Sequence, residues 1–287
     1  MNDIQYTKKN MQQLIDDLDS SKWEDRANAI FELKDISDKK VTKKLIDKLK
    51  DSNEKVWLSA ANVLRNREDP RVVDSLIESL NDNREEVRWR SAYFLGEMGC
   101  SKALKSIELL LNDKSLDVRV NAAKAIGKIG NKGSIDALIK ALEDKDVRVR
   151  KEAITSLNSI SPKKPLKSVS KLLNDKDKKV RSLAAIILGK TKSVDAFDDL
   201  IGTLDDKDHI VRVSAVYALD KIGGDQSVKP LIKALRDPHW EVRSDAASAL
   251  GKTGSKEAVI PLMDALKDEN NYVRRSAIKA LEKFNIF

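Results

Sequence analysis

The sequence predicts an all-α fold, an α-solenoid (superhelix) of nine stacked 31-residue repeats, each with two helices. The first observation is a dipeptide, Val-Arg or its equivalent, that recurs with a constant 31-residue spacing from Asp25-Arg26 to Val273-Arg274. The second is a leucine column with the same spacing, from Leu18 to Leu266. A two-helix unit is too thin to bury its own apolar side chains, so neighbouring repeats must stack to complete a shared core.

The two helices of a repeat follow from the apolar positions around this dipeptide, whose first residue we call the anchor. Four residues after the anchor, eight of nine repeats have Ala, with Ser91 as the exception, and eight residues after it every repeat has Leu or Ile. These positions share one face of an α-helix, the second helix of the repeat. The first helix carries the leucine column and another aliphatic residue four positions earlier, from Leu14 to Leu262.

Polar columns mark the ends of these helices. Glycines follow several second helices where a left-handed residue is favoured, at Gly99, Gly130, Gly223 and Gly254. Aspartates close the first helices, six residues before a column that holds Arg in all repeats but one: Asp51, Asp82, Asp113, Asp144, Asp175, Asp206, Asp237 and Asp268. We expect the Asp and Arg columns to form a ladder of capping and ion-pair contacts between helices and repeats.

The repeats leave no room for a second domain. They run approximately over residues 7–37, 38–68, 69–99, 100–130, 131–161, 162–192, 193–223, 224–254 and 255–287. We therefore expect one solenoid domain over residues 1–287.

Composition narrows the class of protein. The chain is 41% apolar and 35% charged but only 5% aromatic, which favours many thin amphipathic helices over a globule. A single cysteine, Cys100, excludes an intrachain disulfide framework. The sequence has no signal-like start and no apolar run long enough for a membrane helix, so we expect a cytoplasmic protein with no membrane partner. The net charge of +8 would permit an acidic partner.

Two Gly-Lys-Thr tripeptides, beginning at Gly189 and Gly251, resemble the end of a phosphate-binding loop. Such a loop needs an earlier glycine, and Ala184 and Ala246 stand in its place. Both glycines fall in the same repeat column as Gly96, inside the second helix. Close packing against a neighbouring helix is therefore a sufficient explanation for them.

The blocks at residues 117–144 and 241–268 resemble the HEAT-like repeats named after phycobilisome (PBS) lyases. The resemblance covers essentially the whole chain and implies an armadillo-like superhelix. It also implies that the second helices line the concave side and that their non-core positions bind a partner. The chain departs from the pattern at Asp25, Trp57 and Asn158, which replace Val, Arg and Gly.

Candidate binding residues occupy the non-core positions of the second helices. The candidate partner-binding residues are Trp23, Phe31, Trp89, Arg90, Tyr93, Tyr217 and Trp240. Exposed aromatic residues are typical of binding hot spots, but these rings could equally lie flat on neighbouring stems and cover the stack. A basic strip follows in the C-terminal half, formed by Lys190, Lys221, Lys252, Arg275, Lys279 and Lys283.

Three classes of function remain open at this stage. The first is a non-enzymatic scaffold, expected to be a monomer, that binds a protein on the concave face. The second is nucleic-acid binding through the basic strip, and the third is a lyase-type enzyme or a chromophore or ligand carrier. The sequence offers no catalytic constellation and no cofactor motif, and we expect no metal site because His209 and His239 lack the His-Glu dipeptides of iron-binding HEAT-repeat hydroxylases.

Overall fold

A computed structural model describes residues 10–36, 38–65, 69–160 and 167–286, and every regular element in these ranges is helical. The chain divides into two compact units, one up to Ile129 and one from Gly130 onward. The N-terminal unit holds the first four repeats and the C-terminal unit the other five. The single domain over the whole chain stays a prediction.

Each repeat supplies two helices, as predicted, with odd numbers for first helices and even numbers for second helices. In the N-terminal unit they are α1 (Met11–Asp17), α2 (Trp23–Glu32), α3 (Lys39–Asp47), α4 (Glu54–Arg65), α5 (Pro70–Ser79), α6 (Glu85–Glu97), α7 (Leu104–Leu109) and α8 (Leu116–Ile129). In the C-terminal unit they are α9 (Ile135–Ala141), α10 (Val147–Ile160), α11 (Lys167–Ser170), α12 (Lys178–Lys190), α13 (Phe197–Thr203), α14 (His209–Ile222), α15 (Val228–Ala234), α16 (Trp240–Thr253), α17 (Val259–Ala265) and α18 (Asn271–Glu282). No helix in the described ranges is long and apolar enough to cross a membrane.

The core of each unit is built from the predicted columns. The Leu or Ile eight residues after each anchor is at most 1% exposed in all nine repeats, from Leu33 to Leu281. Burying one such side chain contributes about 1.5–3 kcal/mol to stability. The prediction of an apolar stripe that faces the neighbouring repeats is therefore confirmed, and each unit is a stack of the kind that forms an α-solenoid.

Glycine allows some second helices to approach the next one closely. In the C-terminal unit, a Cβ built on Gly189 of α12 would lie 2.5 Å from the Cα of Ala218 on α14, and one built on Gly251 of α16 would lie 2.7 Å from the Cα of Ala280 on α18. Such distances exclude any side chain larger than hydrogen. Both Gly-Lys-Thr tripeptides thus begin inside a helix, and the packing explanation is confirmed.

The predicted ladder is also present. In each rung the Arg after an anchor donates from Nε and Nη2 to the two carboxylate oxygens of the Asp 25 residues later, with Nε–Oδ2 distances of 2.6–2.8 Å. The described rungs are Arg26–Asp51, Arg88–Asp113, Arg150–Asp175, Arg181–Asp206, Arg212–Asp237 and Arg243–Asp268. In the third and sixth repeats, for example, the Nη1 atom donates to the carbonyl of the Asp six residues before the Arg, so one guanidinium joins two repeats.

Acid should weaken both stacks through these aspartates. Burial alone would raise the pKa of Asp206, but hydrogen bonds from the Arg181 side chain and the Asp208 backbone outweigh it, and the net pKa lies below its usual range. The same holds for Asp113, Asp175 and Asp237, and in Asp268 the bond from Arg243 is the largest cause. A carboxylate with a lowered folded-state pKa stabilises the fold above its unfolded pKa, and this contribution is lost as the pH falls through the folded pKa.

We therefore expect the urea-unfolding midpoint to be steady from about pH 7 to pH 5 and to fall between about pH 5 and pH 2. Circular dichroism at a series of pH values measures it. Replacing one rung by Arg181→Met with Asp206→Leu removes a titrating group, so the loss on acidification should become smaller. A midpoint that is the same at about pH 3 as at neutral pH would contradict the role of the ladder.

Candidate functional site

The ladder is altered in the second repeat, where Trp57 occupies the Arg position. The Trp57 side chain is only 3% exposed. Its ring packs edge to face against Trp89 at 5.8 Å and against Phe94 at 5.5 Å between ring centroids. The replacement therefore creates an aromatic cluster between α4 and α6 in the N-terminal unit.

Two arginines of the third repeat replace the missing rung. Arg90 donates from Nη1 to the carbonyl oxygen of Asp51 at 2.9 Å. Asp51 stands six residues before Trp57, so this is the carbonyl that a ladder arginine at residue 57 would contact. Arg84 donates from Nε to Oδ1 of Asp82 at 3.0 Å. The hydrogen bond from Arg84 is the main reason why the pKa of Asp82 falls to about 2. Arg84 and Arg90 thus provide partners for Asp82 and for the Asp51 carbonyl, whereas the buried Nε1 of Trp57 and Nε of Arg90 have no hydrogen-bond partner in the described part of the chain.

Arg90 is the candidate binding residue whose surroundings differ most from the expectation. It is 9% exposed, and burial lowers the pKa of its guanidinium. The guanidinium carbon lies 4.6 Å from the centroid of the Trp57 ring and 5.6 Å from that of Trp89, within the range of cation–π contacts. Arg90 therefore covers the aromatic cluster, and its contact with a partner stays a prediction.

Trp89 and Tyr93 lie four residues apart on one face of α6, and both are half-buried. The Nζ atoms of Lys124 and Lys128 on α8 lie 5.5 and 5.8 Å from the centroid of the Tyr93 ring. Hydrogen bonds from Lys128 and, to a smaller degree, from Tyr93 lower the pKa of Glu97. The Tyr93 ring is thus fixed in position by charged neighbours while part of its surface faces solvent.

The two aromatic candidates of the first repeat also pair with lysines. Lys55 lies 4.4 Å from the centroid of the half-buried Trp23 ring, and Lys34 lies 4.2 Å from that of Phe31, which is 61% exposed. Tyr93 of the third repeat stands in the same column as Phe31. Leu58, which is 41% exposed, and Trp89 share another column of the second helices. We call these five positions on α2, α4 and α6 the aromatic surface: Trp23, Phe31, Leu58, Trp89 and Tyr93.

The aromatic candidates of the C-terminal unit are half-buried as well. Lys221 lies 5.4 Å from the centroid of the Tyr217 ring. Trp240 stacks on Tyr272 at 5.1 Å and on His239 at 6.0 Å, and His239 stacks on His209 at 3.8 Å. Four rings from three successive repeats therefore form one continuous stack.

The basic strip is less uniform than the sequence predicts. Its members are all exposed, but Lys252 forms an ion pair with Asp220, with Nζ 2.8 Å from Oδ2. No ion pair within the described part of the chain involves the others: Lys190, Lys221, Arg275, Lys279 and Lys283. Five of the six predicted positions are thus exposed cations without an ion-pair partner among the described residues.

Sequence reasoning did not find one group in the C-terminal unit. His209, His239 and Glu241 place one ligand atom each within 4.8 Å of one another. The signal was the pair His239-x-Glu241, two residues apart at the start of α16. The separation of His209 from His239 is one position short of a full repeat, so the two histidines stand in different columns and the alignment of repeats does not bring them together.

Comparison with protein families agrees with this architecture. The model for HEAT repeats matches residues 11–96, 42–114, 103–176, 166–236 and 228–285. The chain belongs to the HEAT-repeat family. The resemblance to HEAT-like repeats that the sequence motifs indicate is thereby confirmed. A search of curated proteins gave no match to this chain.

Solved structures confirm the fold. The YibA protein of E. coli is 26% identical, with a TM-score of 0.63, over 92% of this chain and 97% of that chain. Importin beta is 18% identical, with a TM-score of 0.68, over 96% of this chain and 46% of that chain. The complex of CpcE and CpcF of phycocyanin lyase from a Nostoc species is 24% identical over 77% of this chain and 91% of that chain, and its TM-score of 0.47 supports no conclusion. The HEAT-repeat protein is therefore an all-α solenoid.

Proposed function

We propose that this protein is a non-enzymatic scaffold that binds a protein segment on the aromatic surface. The observation that carries the proposal is that successive second helices present the exposed side chains of Phe31 and Leu58, at 61% and 41%, and the half-buried rings of Trp89 and Tyr93. All of them lie on second helices; Trp89 also packs against the buried Trp57, and Tyr93 against the buried Phe94. Aromatic side chains in such positions contribute most of the binding energy in protein interfaces.

The charges around the aromatic surface indicate the chemistry of the segment. Glu54, Glu85 and Glu86 are exposed at the first turns of α4 and α6, and they form no ion pair within the described residues. The lysines beside Trp23 and Phe31 indicate that these rings accept cations. We infer a partner segment that combines apolar side chains with Lys or Arg.

Trp89→Ala with Tyr93→Ala should lower retention of the partner by about 30-fold, the equivalent of a loss of about 2 kcal/mol. The measurement is capture from native lysate by the immobilised full chain, after nuclease treatment, with quantification of each retained protein. Leu109→Ala is the matched control, because Leu109 is 74% exposed in the same unit but lies on the first helix α7. Urea unfolding of both variants confirms that they remain folded.

Two outcomes would contradict the proposal. One is a set of retained proteins that the double variant holds as well as the unaltered chain does. The other is an equal loss with Leu109→Ala, because this would indicate general adhesion to exposed apolar side chains rather than binding on the aromatic surface.

Nucleic-acid binding is the second candidate, and the five unpaired cations of the basic strip favour it. Lys190→Glu with Lys221→Glu should then abolish retention of nucleic acid and flatten its salt dependence. The aromatic variant should leave such binding unchanged, so the same capture experiment, with and without nuclease, separates the two functions.

A further inference from the structure

The only two histidines of the sequence lie in contact with each other. His209 is the first residue of α14 and His239 is the N-cap residue of α16, so they belong to successive repeats of the C-terminal unit. Their ring centroids are 3.8 Å apart and the ring planes differ by 21°. Folding thus joins two imidazoles that the sequence separates by almost a full repeat.

A carboxylate completes the group. Oε2 of Glu241, in the first turn of α16, lies 3.9 Å from Nε2 of His209 and 4.0 Å from Nδ1 of His239. The side chains of His209, His239 and Glu241 are 38%, 32% and 44% exposed, so solvent reaches the group. Nδ1 of His239 accepts a long hydrogen bond of 3.4 Å from the backbone N–H of Glu241, so an ion bound at Nδ1 would take the place of this N-cap contact.

We propose that His209, His239 and Glu241 bind a divalent transition-metal ion of the zinc type. Imidazole nitrogen together with one carboxylate is a donor set that suits Zn²⁺, whereas Mg²⁺ and Ca²⁺ prefer oxygen ligands alone. Three protein ligands leave the fourth position of a tetrahedral ion to water.

The geometry requires only a local adjustment. Ligand atoms about 2.0–2.1 Å from a tetrahedral ion are about 3.3 Å apart, so the present separations of 3.9 and 4.0 Å from Glu241 must close by about 0.6–0.7 Å. The two histidine nitrogens, which lie within 4.8 Å of each other, must close by at most about 1.5 Å. The imidazole rings must also rotate out of face-to-face contact so that both lone pairs point to one centre. The partial exposure of all three side chains leaves room for this rotation.

The negative charge of Glu241 is expected to contribute strongly to the affinity for a metal ion. The N-terminal ends of α14 and α16 carry partial positive charge, which opposes a cation. Glu241 is the anionic member of the group and offsets this charge. Its neutral variant should therefore lose affinity to a similar degree as a variant that lacks an imidazole.

The test is a titration of the metal-free full chain with Zn²⁺, monitored by isothermal titration calorimetry. It is carried out on the unaltered chain and on the Cys100→Ser variant. We expect one ion per chain in both. His209→Gln, His239→Asn and Glu241→Gln should each lower the affinity by about 10-fold or more. Asn is a favourable N-cap residue, so His239→Asn removes the imidazole without removing the cap of α16. Asp264→Asn, an exposed carboxylate on α17, is the control that should change nothing.

A second readout locates the ion. The chain has two histidines, so its NMR spectrum contains two imidazole Hε1 signals, and both should shift on addition of Zn²⁺. Absence of binding would overturn the proposal. Binding that survives His209→Gln combined with His239→Asn, or that disappears in the Cys100→Ser background, would overturn it as well. None of these outcomes concerns the aromatic surface, so the protein-binding proposal stands or falls separately.

Discussion

Asp206→Ala should lower the free energy of unfolding by about 3–5 kcal/mol, because it leaves a buried guanidinium without its carboxylate. Arg181 is 5% exposed and donates to both oxygens of Asp206, at 2.6 and 2.9 Å. In the variant this charge is desolvated and lacks its only ion-pair partner among the described residues. Urea unfolding followed by circular dichroism measures the effect.

The neighbouring residue supplies the control. Asp205 also forms an ion pair, with Lys233, but the two side chains are 65% and 61% exposed. An exposed pair contributes about 0–1 kcal/mol, so Asp205→Ala should shift the unfolding midpoint very little. If the two variants were equally stable, burial of the rungs would not be the source of their effect.

Gly189→Ala should destabilise the C-terminal unit by about 1–3 kcal/mol. The added Cβ would lie 2.5 Å from the Cα of Ala218 and 3.0 Å from its Cβ, so α12 and α14 must separate to admit it. The obstacle is backbone rather than a flexible side chain, and it cannot move aside locally. The shift of the urea-unfolding midpoint measures the effect.

Gly202→Ala is the matched substitution with the opposite expected sign. Gly202 lies in α13 of the same unit, and a Cβ there would meet nothing within 4 Å. Replacing an unconstrained helical glycine with alanine stabilises by about 0.5–1 kcal/mol. If alanine destabilised the unit at both positions, the effect of Gly189→Ala could not be attributed to the contact between α12 and Ala218.

The 31-residue period explains why so much of the architecture could be predicted. A repeat imposes the same contacts many times, so a column such as Leu33 to Leu281 identifies the core without knowledge of any single contact. The ladder follows for the same reason, since each Arg meets the Asp that stands 25 residues later.

The contacts that depart from the period could not be predicted in this way. Trp57 removes one rung, and the arginines that compensate, Arg84 and Arg90, stand in other columns of the next repeat. Likewise, the ion pair between Lys252 and Asp220 joins two different columns and interrupts the basic strip. Such contacts depend on side-chain length and rotamer, which an alignment of columns does not contain.

The glycine contacts give the C-terminal unit an uneven stiffness. Gly189 and Gly251 hold α12 against α14 and α16 against α18, whereas the corresponding position of α14 is Asp220, and α14 and α16 pack less extensively. Force applied along this unit should therefore open the joint between α14 and α16, and the still less extensively packed joint between α10 and α12, before the glycine contacts separate. The pairs α12–α14 and α16–α18 should then move as rigid bodies. His209 and His239 lie on either side of the joint between α14 and α16. An ion bound by both residues would therefore hold these two helices together, and removal of the ion would let them separate more easily.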